Sequence, residues 1–492
     1  MGIQIAPADL TWLLMDRANN LMHIHGLMEF EELPDIEEVR QATLDRIVSK
    51  YRVLSQIPVH HDGHWYWEDH KDFAIENQVH RVFLPDGDKE TMREFISKRF
   101  SEPFDRNYPL WDITVLSGPE QPGQPGAFFF RWHHGVADGV RLIQLQLDLL
   151  DHDRTAVPHA VGRGHSSLFE RVLHVAEHTV KDTVDYVTHA GEVVGKAGRS
   201  AVATLNPLDL PHNLEVVADL ARHPIKLVDA LTSVAGEENE TSNSLREVTR
   251  LLLHEQADTG AWSGHVSGVK NVYWLTGIDL KAVKRAAKGY GATVNDMMMA
   301  GVSLALTGYL HERGVTQVHD LAWMMPVSLK PVDPSMPPDL GNHFSVVLYD
   351  MPMGIEEPAE LLHEVHTRAT RLKNSVEPVL AFGMQRLVAE SPTPIARRIT
   401  DYFAGKTIGQ ITNVPGPAAQ MYFLGRKLTG FLGWVPTSGD QPIGVCILSY
   451  HGTITLGLST DTRMVPDAKH IAELIRDHVE QLVVAAPAPP TS

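Results

Sequence analysis

The stretch RWHHGVADGV, residues Arg131–Val140, contains two adjacent histidines followed, after three residues, by an Asp–Gly pair. The apolar run AFFFRW that leads into it predicts a buried strand, and VRLIQLQLDLLDH after it has the length and leucine content of a helix. The histidines therefore lie where a buried strand ends and a helix begins. A side chain at such a junction can be held rigidly with one edge facing a cleft.

Three interpretations of this stretch compete. A metal site is disfavoured, because His133 and His134 leave the chain in divergent directions and no third His or Cys stands at helical spacing. A structural role explains Asp138 as the N-cap of the following helix and the glycines as parts of a tight turn. It leaves two histidines beside a buried aromatic strand without a reason.

A catalytic interpretation uses every residue of the motif. Histidine has a pKa near neutrality, which suits a general base. We predict His134 as the base and His133 as a packing or orienting neighbour. Asp138 would orient the loop through a salt bridge, and Gly139 would leave room beside the base. Asp138 is assigned to structure more than to proton transfer.

The composition limits the class of protein. At 492 residues the chain exceeds one ordinary core, so two domains are expected, and 43% hydrophobic with 21% charged residues is typical of a globular protein. The net charge of -18 argues against a nucleic-acid binder and against a polybasic membrane anchor. The single cysteine, Cys446, sits in an apolar strand and predicts a reducing, cytoplasmic location and an inert thiol. No secretion signal or membrane span is predicted.

Helix and strand patterns alternate in two parts of the chain. They fill residues 1–155 and again 266–492, and residues 156–265 between them read as helices broken by polar joints. The sequence thus predicts an α/β protein with two lobes, each a mixed sheet with flanking helices, joined by a helical connector. A plain helical layer is favoured for the connector over a lipid-binding surface, because its face carries about as many acidic as basic residues.

The motifs together resemble one family. HHGVADG is similar to the HHxxxDG signature of the CoA-dependent acyltransferase superfamily. Further segments resemble those of bacterial wax ester synthase/diacylglycerol acyltransferases, in the same order: PADLTWLLMDRANNLMHIHGL from Pro7, PLWDI (Pro109–Ile113), GATVNDMMMA (Gly291–Ala300), MPVSLK, GNHFSVVL and ITNVPGP (Ile411–Pro417). The resemblance extends to about Val465, and its departures are small: Thr412 replaces the usual Ser and Lys330 the usual Arg.

This resemblance implies two chloramphenicol-acetyltransferase-like lobes with an active-site tunnel between them. The reaction it implies moves a fatty acyl group from acyl-CoA, a co-substrate, to a long-chain alcohol or diacylglycerol, without a cofactor or metal. Wax esters or triacylglycerol would result, and peripheral contact with a membrane or lipid inclusion is expected. Two alternatives stay open: a condensation-type enzyme that uses carrier-protein or amine substrates, and a lipid-binding inclusion protein without turnover.

The matched motifs supply further candidate residues. Asn295 is a candidate donor to the oxyanion of the tetrahedral intermediate, although it can equally be part of a helix start. Asp296 is assigned to a capping box with Thr293. In the PLW segment, Trp111 with Leu110 and Pro109 can line an acyl channel, or the Trp can belong to the core.

The last motif and two basic pairs complete the candidates. Asn413, Pro415 and Gly416 are predicted to form a rigid turn that faces the tunnel, where Asn413 and Gly416, like Gly139 of the first motif, would contact the substrate. Arg397–Arg398 and Arg426–Lys427 are candidate partners of the CoA phosphates, with simple surface solvation as the alternative.

Overall fold

The structure, a computed structural model, describes residues 2–18, 20–119, 123–155, 262, 264–328, 340, 342, 344–373, 397, 400–401 and 404–488. The helical connector predicted for 156–265 lies outside the described residues, except for positions 262, 264 and 265.

Helices and strands of the described residues follow one another in mixed order in both halves. The helices are α1 (Pro7–Met15), α2 (Ile36–Thr43), α3 (Lys89–Phe100), α4 (Gly139–Asp148), α5 (Leu280–Tyr290), α6 (Val294–Glu312), α7 (Pro358–Lys373) and α8 (Ala468–Val484). The strands are β1 (Ile3–Gln4), β2 (His23–Phe30), β3 (Gln56–His61), β4 (His64–Asp69), β5 (Val79–Phe83), β6 (Trp111–Ser117), β7 (Gly126–His133), β8 (Lys270–Asp279), β9 (Leu321–Ser328), β10 (Phe344–Met351), β11 (Gly409–Pro415), β12 (Tyr422–Phe423), β13 (Arg426–Trp434), β14 (Ile443–Tyr450) and β15 (Thr453–Asp461).

The first lobe is built on a six-stranded sheet in the order β12-β13-β2-β7-β6-β5. Strand β7 is buried along all but its first residue, as expected for the apolar run that precedes the two histidines. Strand β13 comes from the C-terminal part of the chain and pairs antiparallel with β2. The predicted C-terminal lobe, 266–492, therefore lends two strands to the sheet of the first lobe, a crossing that local sequence patterns do not reveal.

The second lobe has a six-stranded sheet in the order β10-β9-β11-β14-β15-β8, flanked by α5, α6, α7 and α8. Helix α6 is apolar around most of its surface because it lies within this core. At Gly301 a Cβ atom would come within 2.3 Å of Val479 Cγ2, so the close approach of α6 and α8 requires glycine. The predicted architecture of two mixed α/β lobes is confirmed.

Two helix ends have the capping chemistry expected of their residues. Asp138 caps α4 by accepting a hydrogen bond from the Arg141 amide, and Gly291 ends α5 in the left-handed region at φ 66°. Other boundaries differ from the sequence pattern. The apolar spacing predicts helices over residues 8–19 and 36–51. The first helix instead ends at Met15, and α2 gives way after Thr43 to a short π-helical turn.

His25 on β2 is a buried residue whose ring nitrogens lack hydrogen bonds to the described residues. Its ring stacks on Phe100 at 3.6 Å and on Phe129 at 5.7 Å between centroids, and neither ring nitrogen has a hydrogen-bond partner in the described part of the chain. Burial and the nearby Arg131 and Arg99 lower its pKa well below the usual value, so the ring is neutral at pH 7.

His25→Phe is expected to raise the free energy of unfolding by about 1–2 kcal/mol, because it removes two buried unsatisfied nitrogens and keeps the ring stack. The gain should grow as pH falls through about 6.5, because the unfolded chain then binds a proton that folded His25 rejects. Urea denaturation at pH 7 and pH 5 measures both effects. A loss of stability at pH 7 would show that a ring nitrogen makes a stabilising hydrogen bond.

Among the described residues, none of the helices combines the length and apolar character required to span a bilayer.

Candidate active site

The turn that carries the two histidines is fixed through its main chain. His133 ends β7, and its amide donates to the Leu110 carbonyl at 2.9 Å. The amide of His134 donates to the Met22 carbonyl at 2.7 Å. The next amide, that of Gly135, donates to Nδ1 of the His133 ring at 2.9 Å. Two segments from outside the motif therefore set the position of His134.

The ring of His134 is held by groups from both halves of the chain. Trp12 of α1 stacks on it, with 4.1 Å between ring centroids and 19° between planes. Asn342, two residues before β10, places Oδ1 2.9 Å from Nδ1 of His134. The Asn342 amide nitrogen donates to Asp9 Oδ1 at 2.8 Å and to the His134 carbonyl at 2.9 Å. These two acceptors fix the orientation of the amide, so that its oxygen faces the imidazole.

This orientation determines the tautomer of His134. Because Asn342 Oδ1 accepts, Nδ1 of the imidazole carries the proton and Nε2 carries the lone pair. The residue is only 5% exposed. Burial lowers the pKa of His134 to about 4, outweighing hydrogen bonds to its own backbone and to Asn342 that raise it. The ring is therefore a neutral imidazole at physiological pH, with Nε2 able to accept a proton.

Asp138 and Gly139 follow on the same turn. Asp138 Oδ1 caps α4 and Oδ2 forms an ion pair with Arg141 at 2.9 Å, which confirms the predicted salt bridge and cap. The hypothesis that Gly139 relieves crowding at the base needs correction: a Cβ atom there would meet no described heavy atom within 4 Å. Gly139 borders open space, and a Cβ atom there would not crowd His134.

The PLW segment contacts the main chain of the turn that carries the two histidines. Trp111 begins β6, is 1% exposed and stacks on Trp132 at 5.5 Å. Its indole N–H donates to the Leu54 carbonyl at 2.8 Å. Leu110 accepts from the His133 amide, and the Pro109 carbonyl accepts from Gln78 at 3.0 Å. These contacts assign the segment to the core; a role in lining an acyl channel stays a prediction.

Two predicted residues of the second lobe contact each other. Asn413 Nδ2 donates to Asn295 Oδ1 at 3.1 Å, which leaves the Asn295 amide nitrogen as the donor of that side chain. Asp296 forms the predicted capping box with Thr293 at the start of α6. The carboxylate oxygen that accepts the Thr293 amide, Oδ2, also lies 2.8 Å from Nδ1 of His366.

The predicted turn at the NVPGP motif is wrong. Asn413 and Pro415 belong to β11, which pairs in parallel with β14. Gly416 follows directly, and a Cβ atom there would lie 2.2 Å from the Ser449 carbonyl. Its lack of a side chain is explained by this close approach of the main chains, and a role in substrate binding stays a prediction.

One arginine of each basic pair has a protein partner. Arg397 donates to the Leu14 carbonyl at the end of α1, at 2.8 and 2.9 Å, and Arg398 lies outside the described residues. Arg426 forms an ion pair with Glu38 at 3.0 Å. Arg397 also lines a cavity of about 350 Å³ with Arg17, Arg106 and Asp16. Binding of the CoA phosphates by either pair, and a tunnel that reaches His134, stay predictions.

One cluster among the described residues has the side chains of a metal site: Asp16, His23 and His133, with ligand atoms within 4.8 Å of one another. The hydrogen bond from Gly135 N–H occupies Nδ1 of His133, so Nε2 carries the proton and offers no lone pair to a metal. Arg106 also places a positive charge 3.4 Å from Asp16. Both contacts disfavour a cation at this position.

Sequence reasoning missed three side chains that contact the His134 ring or its partner: Asp9, Trp12 and Asn342. All three lie in segments that resemble family motifs, PADLTW near the start and GNHFSVVL, which continues into β10. The resemblance marked the segments, but only the folded chain shows that they meet at one imidazole.

Comparisons with known proteins agree with this geometry. A model described as the wax ester synthase/diacylglycerol acyltransferase catalytic domain matches residues 5–298, and one described as the WS/DGAT C-terminal domain matches residues 340–483. Among curated relatives, a Mycobacterium tuberculosis protein named as a diacylglycerol O-acyltransferase, tgs1, is 24% identical, with 85% of this chain and 81% of that protein covered. The O-acyltransferase WSD of Acinetobacter baylyi is 21% identical, with 96% and 95% covered.

Solved structures show the same fold. The wax ester synthase/diacylglycerol acyltransferase of Marinobacter aquaeolei VT8 superposes with a TM-score of 0.64 at 18% identity, covering 98% of this chain and 99% of that one. The starter condensation domain of rhizomide synthetase gives a TM-score of 0.53 at 12% identity, covering 99% and 95%. The family predicted from the order of the motifs is confirmed: the chain belongs to the wax ester synthase/diacylglycerol acyltransferase family and is an acyltransferase.

Proposed function

We propose that the protein transfers a fatty acyl group from acyl-CoA to the hydroxyl of a long-chain alcohol or diacylglycerol, with His134 as the general base. The observation that carries this proposal is the state of the His134 ring. It is neutral, its Nδ1–H is bound to Asn342, and Nε2 is the nitrogen that can take a proton. The name of one relative, a diacylglycerol O-acyltransferase, supports diacylglycerol as the acceptor, and the wax ester synthase description of the family supports a long-chain alcohol.

The reaction needs one proton acceptor and one leaving group. The alcohol oxygen attacks the thioester carbonyl while Nε2 of His134 takes the hydroxyl proton, a contribution on the order of 10²–10⁴-fold in rate. The tetrahedral intermediate then breaks the C–S bond. The imidazolium returns its proton to the departing CoA sulfur, so the base ends the cycle neutral and the products are an ester and a free thiol.

Direct transfer is favoured over an acyl-enzyme. Cys446, the single cysteine of the chain, is buried on β14, and burial raises the pKa of its thiol to about 12. A thiol in this state is a poor nucleophile at neutral pH. Burial therefore supports the prediction that Cys446 is inert, and His134 has a role that needs no covalent intermediate.

Asn295 remains our candidate for the oxyanion donor. Its amide oxygen accepts from Asn413, so the orientation of the side chain is fixed and its N–H groups are the donors. An amide can stabilise developing negative charge without changing its protonation state. Asn413 would then act by orienting Asn295.

We place the reaction on the cytoplasmic side, at the surface of a membrane or lipid inclusion. Long-chain alcohols and diacylglycerols partition into lipid, so a protein that uses them must meet a lipid surface. Acyl-CoA, the donor, reaches the same surface from water.

The proposal is tested with purified protein, palmitoyl-CoA and one acceptor at a time: hexadecanol, diolein or hexadecylamine. We expect thiol release that depends on hexadecanol or diolein, together with a wax ester or triacylglycerol in the lipid extract. The reaction without an acceptor and the His134→Ala protein serve as controls.

Each other outcome contradicts the proposal in its own way. Transfer to hexadecylamine alone would indicate a condensation-type enzyme. Retained binding of acyl-CoA and diolein without thiol release would indicate a lipid-binding protein. Thiol release that is independent of any acceptor would indicate a thioesterase.

A further inference from the structure

Asp16, just after the end of α1, is a charged residue that the proposed reaction does not use directly. Its carboxylate is mostly buried, and its Oδ1 accepts the Met22 amide at 3.0 Å. Its Oδ2 lies 3.5 Å from Nε2 of His133. These two neighbours, Met22 and His133, in turn accept the main-chain amides of His134 and Gly135.

The first connection runs through Met22. Asp16 accepts the N–H of Met22, and the carbonyl of the same residue accepts the amide of His134 at 2.7 Å. Met22 is therefore held through both its amide N–H and its carbonyl oxygen. Loss of the Asp16 carboxylate removes one of them and lets the acceptor of the His134 amide move.

The second connection runs through the His133 ring. Nδ1 accepts the Gly135 amide, so the proton of this imidazole is on Nε2, which faces the Asp16 carboxylate. Apart from this 3.5 Å contact with Asp16, Nε2 of His133 has no hydrogen-bond partner in the described part of the chain. Because the site is buried, a negative charge at 3.5 Å strongly favours the proton on that nitrogen.

We propose that Asp16 is the positioning residue of the catalytic turn, and that it keeps His133 in the Nε2–H tautomer while His134 is kept in the Nδ1–H tautomer. The two adjacent histidines thus carry opposite tautomers. Each tautomer is set by a carboxylate of the α1 region, Asp16 for His133 and Asp9, through Asn342, for His134. This role of Asp16 rests on the proposed function, because it acts through the base.

Asp16→Asn separates the two connections. The Asn oxygen can still accept the Met22 amide, but its NH₂ group would face the N–H of His133, and two donors repel. We expect His133 to change tautomer, lose the Gly135 contact and displace His134. A displacement of about 1 Å costs on the order of 10²-fold, so kcat should fall about 10- to 100-fold with KM within about twofold.

Three variants make the test specific. Asp16→Glu keeps a carboxylate and should recover much of kcat, and Asp62→Asn removes an exposed carboxylate beside His61 and should change nothing. In His133→Asn the new side-chain oxygen takes the place of Nδ1 as the acceptor for Gly135. Adding Asp16→Asn to it should cost less than about twofold more, a non-additivity expected only of coupled residues.

The readout that does not depend on activity is ¹⁵N NMR of the full chain labelled at histidine. We expect His133, assigned from its loss in His133→Asn, to show a protonated Nε2 and unprotonated Nδ1, and to exchange these states in Asp16→Asn. Unchanged His133 signals in Asp16→Asn would overturn the inference even if His134 is the base. A stoichiometric metal ion that Asp16→Asn loses would also overturn it, since Asp16 would then be a ligand.

Discussion

His134→Ala is expected to lower kcat for acyl transfer on the order of 10²–10⁴-fold, because it removes the group that we propose takes the hydroxyl proton. KM for acyl-CoA should change little, since the imidazole acts on the acceptor alcohol. The ring is buried against Trp12, so the alanine also leaves a cavity. Thiol release with saturating hexadecanol measures kcat, and circular dichroism with a thermal melt shows whether the variant is folded.

His133→Asn is the matched control for this variant. It replaces the neighbouring imidazole but retains an acceptor for the Gly135 amide, so the turn is preserved. We expect a loss of about tenfold or less. Similar, mild losses in His134→Ala and His133→Asn would show that neither ring is the base and that the transfer proceeds without general-base assistance from this motif.

The pH dependence follows from the burial of the same ring. The pKa of free histidine is near 6.5, but burial lowers that of His134 to about 4. Because the base works only when neutral, kcat/KM should fall on the acid side with an apparent pKa near the lowered value and stay level from about pH 5.5 to pH 7.5. An acid limb near pH 6.5 would indicate that a solvated histidine controls the rate.

Much of the fold could be predicted from local sequence. The buried aromatic strand, the Asp138 cap and the helix after it were readable because each depends on neighbours within a few residues. The pairing of β13 with the sheet of the first lobe could not be predicted from local sequence. Strand β13 is separated from β2 by some 400 positions, and a strand pattern does not state which edge it will join.

The candidate site shows the same division. The motif singled out His134 from local sequence. Its hydrogen-bond partner Asn342 is 208 positions away, and Asp9 in turn accepts a hydrogen bond from Asn342. Gly139 and Gly416 were both assigned to the substrate, yet one borders open space and the other a neighbouring carbonyl. A glycine in a motif indicates that a side chain is not tolerated or not needed, and only the surrounding atoms tell which.

Asn342→Leu should be the most damaging change outside the histidine motif. Leucine has a similar size but neither accepts from Nδ1 of His134 nor donates to Asp9 or to the His134 carbonyl. The imidazole then loses the partner that keeps its proton on Nδ1, and Nε2 is protonated part of the time. We expect kcat to fall on the order of 10²-fold with little change in KM.

Asp9 variants separate hydrogen bonding from charge in this arrangement. Burial raises the pKa of Asp9 to about 6, while the hydrogen bond from Asn342 lowers it, so the carboxyl is mostly ionised at pH 7 and becomes neutral only as the pH falls below about 6. Asp9→Asn retains an acceptor for the Asn342 amide and should keep kcat within about threefold, whereas Asp9→Leu should approach the loss seen in Asn342→Leu. If Asp9→Asn were as damaging as Asp9→Leu, the negative charge of Asp9 would be the property that His134 requires, and its effect would be electrostatic stabilisation of the imidazolium.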